Sequence, residues 1–183
     1  MRNINKSMNN KNDEMYTPKC LVLPIIKYLK PNSTIWCPFD TQTSEFVINL
    51  QESGFNVIFS HIIFGEKYDF FNYKPIVPYD YIISNPPFSL KLKTLKRLYE
   101  LKKPFAMLIN LECLNYQEIG NFFLNKNLQL LIMDKKVSFD GNTASFNTSY
   151  FCSKILPKDI IFEHLENNNT KQNFVKSRME LKK

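Results

Sequence analysis

The sequence predicts an α/β fold built on a largely parallel sheet, and three observations carry that expectation. Short β-branched and aromatic runs alternate along the chain with segments of helical period. Breakers such as Pro31-Asn32, Gly54, Pro86-Pro87 and Pro104 punctuate the alternation. The chain has 183 residues and is 44 % hydrophobic, enough for the core of one domain and too short for two comfortable ones.

Residues 1–12 are Asn- and Lys-rich without periodicity and are expected to be a disordered leading segment. The folded domain is expected to span 13–157. From Lys19, Leu21, Ile25, Ile26 and Leu29 form one helical stripe, with Pro24 in the first turns where proline is tolerated. Strands are predicted at 34–37, 56–59, 79–84, 105–109, 128–133 and 150–155, and helices at 44–50, 89–101 and 116–124. The stretch 158–183 reads equally as a basic tail or a short helix.

Net charge is +7, from 24 Lys and Arg against 17 Asp and Glu. That suits a polyanionic partner, and also a lysine-rich surface that aids solubility. The first fifteen residues contain no apolar core of a secretory signal, and no apolar run approaches the roughly 20 residues of a membrane span. Cys20, Cys37, Cys113 and Cys152 are far apart, without a ligand spacing to His, and read as reduced thiols of a cytoplasmic protein with no metal site.

One stretch carries chemistry. In YDYIISNPPF an apolar strand ends on Asn85-Pro86-Pro87-Phe88. Proline has no backbone donor, so two in succession stop a strand rigidly. The Asn85 side-chain oxygen and the Pro86 carbonyl are two acceptors that such a step holds close together. They can grip both hydrogens of a planar –NH2 group, while Phe88 stacks on the ring that bears it. A base presented this way must leave its duplex, at a cost of about a few kcal/mol.

Asn85 to Phe88, behind a strand opened by Asp80, resembles motif IV of the S-adenosylmethionine-dependent amino-methyltransferases, most typically those that act on adenine N6 in DNA. Two further segments share the resemblance. Asp13-Glu14-Met15-Tyr16-Thr17-Pro18-Lys19 is similar to the D-E-x-Y-T-P segment of phage-type adenine methyltransferases. Ile35-Trp36-Cys37-Pro38-Phe39-Asp40 resembles motif I, the first strand and its turn. Val137-Ser138-Phe139 and Phe146 to Cys152 resemble the late hairpin of that family more weakly.

The resemblance implies a single Rossmann-like methyltransferase domain with a mostly parallel central sheet and a late antiparallel hairpin. It implies Asn85, Pro86, Pro87 and Phe88 as catalytic residues and S-adenosylmethionine as cofactor. Tyr16, Thr17, Pro18, Pro38, Phe39 and Asp40 would line the cofactor, with His61 at its ribose and Asp69 and Phe70 at its adenine. The chain departs from the family in motif I: Thr41-Gln42-Thr43 stand where glycines are usual, and Cys37 where an acid is common. His61 likewise replaces the usual acid after the second strand.

The basic helix after NPPF makes Lys91, Lys93, Lys96 and Arg97 candidate phosphate contacts, with Lys135 and Lys136 similar candidates further on. The loop Asp140-Gly141-Asn142-Thr143 is either a gate over the site or a plain hairpin turn. Too few residues separate the motifs to hold a target-recognition region, so sequence specificity is expected to be low, short-site, or supplied by a partner protein. The expected function is adenine-N6 methylation of DNA. The alternatives are methylation of RNA or of a protein amide nitrogen, and a degenerate methyltransferase that binds nucleic acid or a host defence protein.

Overall fold

The computed structural model describes residues 17–139 and 145–165. Among them lie four α-helices: α1 (Lys19–Ile26), α2 (Glu45–Glu52), α3 (Lys91–Leu101) and α4 (Gln117–Phe123). The strands are β1 (Thr34–Cys37), β2 (Asn56–Phe59), β3 (Tyr81–Ser84), β4 (Phe105–Asn110), β5 (Gln129–Met133), β6 (Val137–Ser138), β7 (Ser145–Phe146), β8 (Thr148–Ser153) and β9 (Ile160–Glu163).

Seven strands form one sheet in the order β2-β1-β3-β4-β8-β5-β9. The pairs β1–β2, β1–β3, β3–β4 and β5–β9 are parallel. Only β8 runs against its neighbours, wedged between β4 and β5. β6 and β7 pair antiparallel in a small separate ribbon, where the late hairpin is expected. This is the mixed, mostly parallel α/β architecture that the alternation predicts.

The period-2 alternation of each strand sends side chains to two cores. On one face Ile35, Cys37, Ile83, Ala106 and Leu108 pack with Leu21, Val22 and Ile25 of α1 and Phe46, Val47 and Leu50 of α2. On the other, Trp36, Ile82, Phe105, Met107 and Ile109 pack with Leu95 and Leu98 of α3 and Ile119 of α4. Strands buried on both faces read as continuous apolar runs, and FAMLI is one. α2 ends at Gly54, whose φ of 85° no side chain would favour; there the Phe55 N–H returns to the Leu50 carbonyl at 3.1 Å. The buried Tyr150 hydroxyl donates to the Leu21 carbonyl at 2.7 Å and pins β8 to α1.

Two expectations need correction. The sheet does not end at Pro157: residues 160–163, assigned by the sequence to a tail or short helix, form β9 and pair with β5 in parallel. Ile160 and Phe162 face solvent there, 55 % and 74 % exposed, while Ile161 and Glu163 are half-buried, so the apolar residues of IIFE fall on both faces and the sequence shows no apolar/polar alternation. The helix expected from Ser89 begins at Lys91, after a 3-10 turn over Phe88–Leu90. Residues 1–16, 140–144 and 166–183, with the loop Asp140 to Thr143 and the expected disordered leader, lie outside the described residues. The four cysteines are free thiols, with Cys37, Cys113 and Cys152 buried and Cys20 half-buried.

Candidate active site

The parallel strands put their carboxyl ends along one edge of the sheet, where open α/β folds bind ligands. β3 ends there at Ser84, fully buried, and the chain leaves through Asn85, Pro86 and Pro87. Pro87 is extended (φ −54°, ψ 132°), Pro86 is buried, and Phe88 is half-buried as the 3-10 turn starts. The Asn85 Nδ2 donates to Thr17 Oγ1 at 3.1 Å, joining residues 68 apart in sequence. Thr17 is itself buried, at 8 % exposure. This bond fixes the rotation of the amide and so the direction of its Oδ1 acceptor. The D-E-x-Y-T-P-like segment and NPPF thus meet through Thr17 and Asn85. Tyr16 lies outside the described residues.

Asp40 belongs to the same group. It follows β1, is 6 % exposed, and its Oδ2 accepts from the Ser84 hydroxyl. Its backbone N–H continues the β1–β2 ladder to the Ser60 carbonyl at 3.2 Å. Burial pushes the Asp40 carboxyl up from 3.8 to about 6, against the opposing hydrogen bonds from Ser84 and Ser44. No cationic side chain among the described residues pairs with it.

The pH consequence has a definite sign. An acid whose folded pKa lies above its unfolded value destabilises the fold once ionised. The effect is absent below about 3.8 and complete above about 6. Stability of the ligand-free protein is therefore expected to fall by roughly 2–3 kcal/mol across that window. Asp40→Asn should flatten this part of the profile, read by urea unfolding between pH 4 and 7. An unchanged slope would refute the assignment.

The other expected cofactor residues divide. Pro18 and Pro38 are buried beside this group, and Phe39 is half-buried. His61 caps the turn after β2, its Nδ1 accepting from the Ile63 N–H at 3.1 Å. Asp69 caps a turn as well, Oδ1 accepting from the Phe71 N–H at 3.1 Å. Phe70 is a correction. It is 1 % exposed, its ring packed on Trp36 (5.4 Å), Phe39 (4.9 Å) and Phe71 (5.4 Å), with the Arg97 guanidinium carbon 5.4 Å from its centroid. No ring face is left for an adenine, so Phe70 is a core residue.

The basic helix also reads differently in three dimensions. Arg97 donates to the Tyr73 carbonyl at 3.0 Å, and Lys93 Nζ sits 3.8 Å from the Phe71 ring centroid. Arg97, half-buried, ties α3 to the aromatic loop before β3, while Lys93 is exposed and keeps its ammonium at the surface. Lys91 lies over the exposed Tyr116 ring at 5.4 Å. Lys96 is exposed, as are Lys135 and Lys136, which follow β5 at the carboxyl edge.

Two members of this cluster went unremarked in the sequence, Ser84 and Ser60. Ser60 accepts from the buried Trp36 indole N–H at 3.0 Å. A signal existed in each case: a serine closing an otherwise apolar strand, YIIS and VIFS, costs burial of a hydroxyl unless something bonds it.

Strand order and the reversed β8 make a Rossmann-like, mixed α/β sheet whose carboxyl edge bears the NPPF turn. No protein-family model matches the chain, and no similar curated protein is found. Among solved structures, it is similar in chain path to a protein from Agrobacterium tumefaciens described as a predicted O-methyltransferase. Identity is 12 %, coverage 79 % of this chain and 74 % of that one, and the TM-score 0.36. At that score the likeness bears on neither substrate nor chemistry. Among the described residues no helix is long and apolar enough to cross a membrane.

Whether these residues suit S-adenosylmethionine can be judged from Asp40. Among the described residues the buried Asp40 carboxylate is held by hydroxyls without a cationic partner, and a ligand carrying ammonium and sulfonium charges would supply positive charge there. The donor set fits the cofactor.

Proposed function

We propose that this protein transfers a methyl group from S-adenosylmethionine to the exocyclic N6 amine of adenine in DNA. The observation that carries the reading is the Thr17–Asn85 hydrogen bond, which orients an amide acceptor at a rigid strand end beside a buried carboxylate. Asn85 Oδ1 and the Pro86 carbonyl accept the two amine hydrogens, drawing the nitrogen toward tetrahedral geometry and freeing its lone pair. Phe88 stacks on the base once it has left the duplex. The cofactor, when bound, supplies an electrophilic methyl group on a sulfonium. Thr17, Pro18, Pro38, Phe39 and Asp40 are the residues that would hold it. The amine attacks first and loses its proton afterwards, so no tuned general base is required. Target choice falls to a short site or a specificity partner.

One observation favours a second reading, a degenerate binder of nucleic acid or of a defence protein. In the loop after β1 the backbone N–H groups of Asp40 and Thr41 are committed to Ser60 O (3.2 Å) and Ser44 Oγ (2.9 Å), where a glycine-rich loop would turn such donors to a ligand. The test is methyl-labelled S-adenosylmethionine with unmethylated DNA, RNA and protein fractions. Label in N6-methyladenine of DNA is the expected result. Label in RNA or protein would replace the substrate, and no label with no cofactor binding by calorimetry would leave the binder.

A further inference from the structure

The amino ends of the parallel strands, opposite the candidate active site, carry a second feature. A groove of about 500 Å³ opens there between the start of β4, the end of β8 and the start of β5. Among the described residues, Lys102, Lys103, Lys126 and Lys154 line it against one acid, Asp159. A smaller cavity of about 290 Å³ adjoins it and shares Lys103, adding Lys30 and Asp80. The Asp80 carboxylate there accepts the Thr34 N–H at 2.8 Å. The basic lining thus continues from β5 past β4 to β1 as a track, not a closed pocket.

A backbone feature points the same way. Three non-glycine residues among those described have positive φ: Asn32, Lys102 and Lys154. Asparagine tolerates that region, whereas lysine does not favour it and glycine is the usual occupant. Lys102 ends α3 at φ 56°, and Lys154 follows β8 at φ 60°. Both are groove residues. Keeping a long cation at two positions that disfavour it is explained if the cation acts there. Aromatic surface lies among the lysines: half-buried Tyr99 lines the groove, and Lys126 Nζ stands 4.7 Å from the ring centroid of half-buried Phe122 and 5.8 Å from that of Tyr99.

We infer that this track is a nucleic-acid-binding groove, seating the phosphates of a single strand on Lys102, Lys103, Lys126 and Lys154. Elongation, positive charge and interleaved rings suit a strand with regular phosphates and flat bases. The six residues of β4 separate it from the NPPF edge by about 20 Å. It is a contact separate from any target base at Asn85, and it does not depend on methyl transfer.

The test is fluorescence anisotropy of a labelled single-stranded oligothymidylate with the full chain, from 50 to 200 mM salt. Lys102→Gly/Lys154→Gly is expected to bind about tenfold more weakly, its salt slope shallower by about 1.4. Its thermal midpoint should be no lower than wild type, since glycine suits both positions. Lys102→Arg/Lys154→Arg should retain binding. Unchanged affinity in the glycine variant, or no binding by the wild type, would overturn the proposal. Equal competition by poly-glutamate of the same charge would overturn it in favour of an acidic protein.

Discussion

Asn85→Ala is expected to lower the methyl-transfer rate by about 10²–10³-fold, the usual cost of losing one preorganised polar contact to the reacting group. The loss should appear in kcat, with cofactor affinity and thermal midpoint close to wild type, because Asn85 is only half-buried and lies outside both cores. Thr17→Val separates orientation from chemistry. It keeps the shape of the side chain that accepts from Asn85 Nδ2 and removes the Oγ1 acceptor. The amide then keeps its acceptor and loses its fixed rotation, so a loss of about tenfold is expected. Full turnover by Asn85→Ala would remove Asn85 from the chemistry and with it the role assigned to NPPF.

Trp36→Ala is expected to be the most destabilising single truncation, about 3–5 kcal/mol. Trp36 is fully buried in β1, with Phe70 at 5.4 Å, Tyr79 at 5.3 Å and Tyr73 at 6.0 Å between ring centroids. Its indole N–H satisfies the Ser60 hydroxyl, which the substitution would strand in the interior. Domains of this kind are stable by only about 5–15 kcal/mol, so roughly a fifth or more of the margin is at stake. Urea denaturation should show a midpoint lower by about 2 M for a slope of about 2 kcal/mol/M. Trp36→Phe keeps most of the packing and should recover more than half of the loss. A midpoint shift below about 0.5 M in the alanine variant would mean that the aromatic cluster reorganises to fill the space.

Much of the sheet was legible in the sequence as short apolar runs between breakers. TIWC and NVIF were placed at their observed ends, and FAMLI fell short by one residue, because apolar content, β-branching and the flanking breakers agree there. β9 escaped because an edge strand with Ile160 and Phe162 turned to solvent has no buried face on that side to impose a pattern. In the site, Asn85 was proposed from local chemistry, a rigid turn after a strand, and Asp40 from the resemblance to motif I. The meeting of Thr17 with Asn85 rested on family resemblance, since nothing in a local window encodes a contact across 68 residues. Phe70 looked available from its place in the chain, and tertiary packing turns it inward, onto Trp36 and Phe39 and under the Arg97 guanidinium.

The reversed strand has a consequence for how the chain can assemble. β4 and β5 are consecutive strands of the large sheet in sequence, yet they never touch as neighbours: β8, made about fifteen residues after β5 ends, fills the slot between them. Until residues 148–153 leave the ribosome, the two halves of the sheet present facing open edges. The middle of the sheet is therefore closed by insertion from within when β8 pairs with both β4 and β5, and only then does β9 add to β5 at the rim.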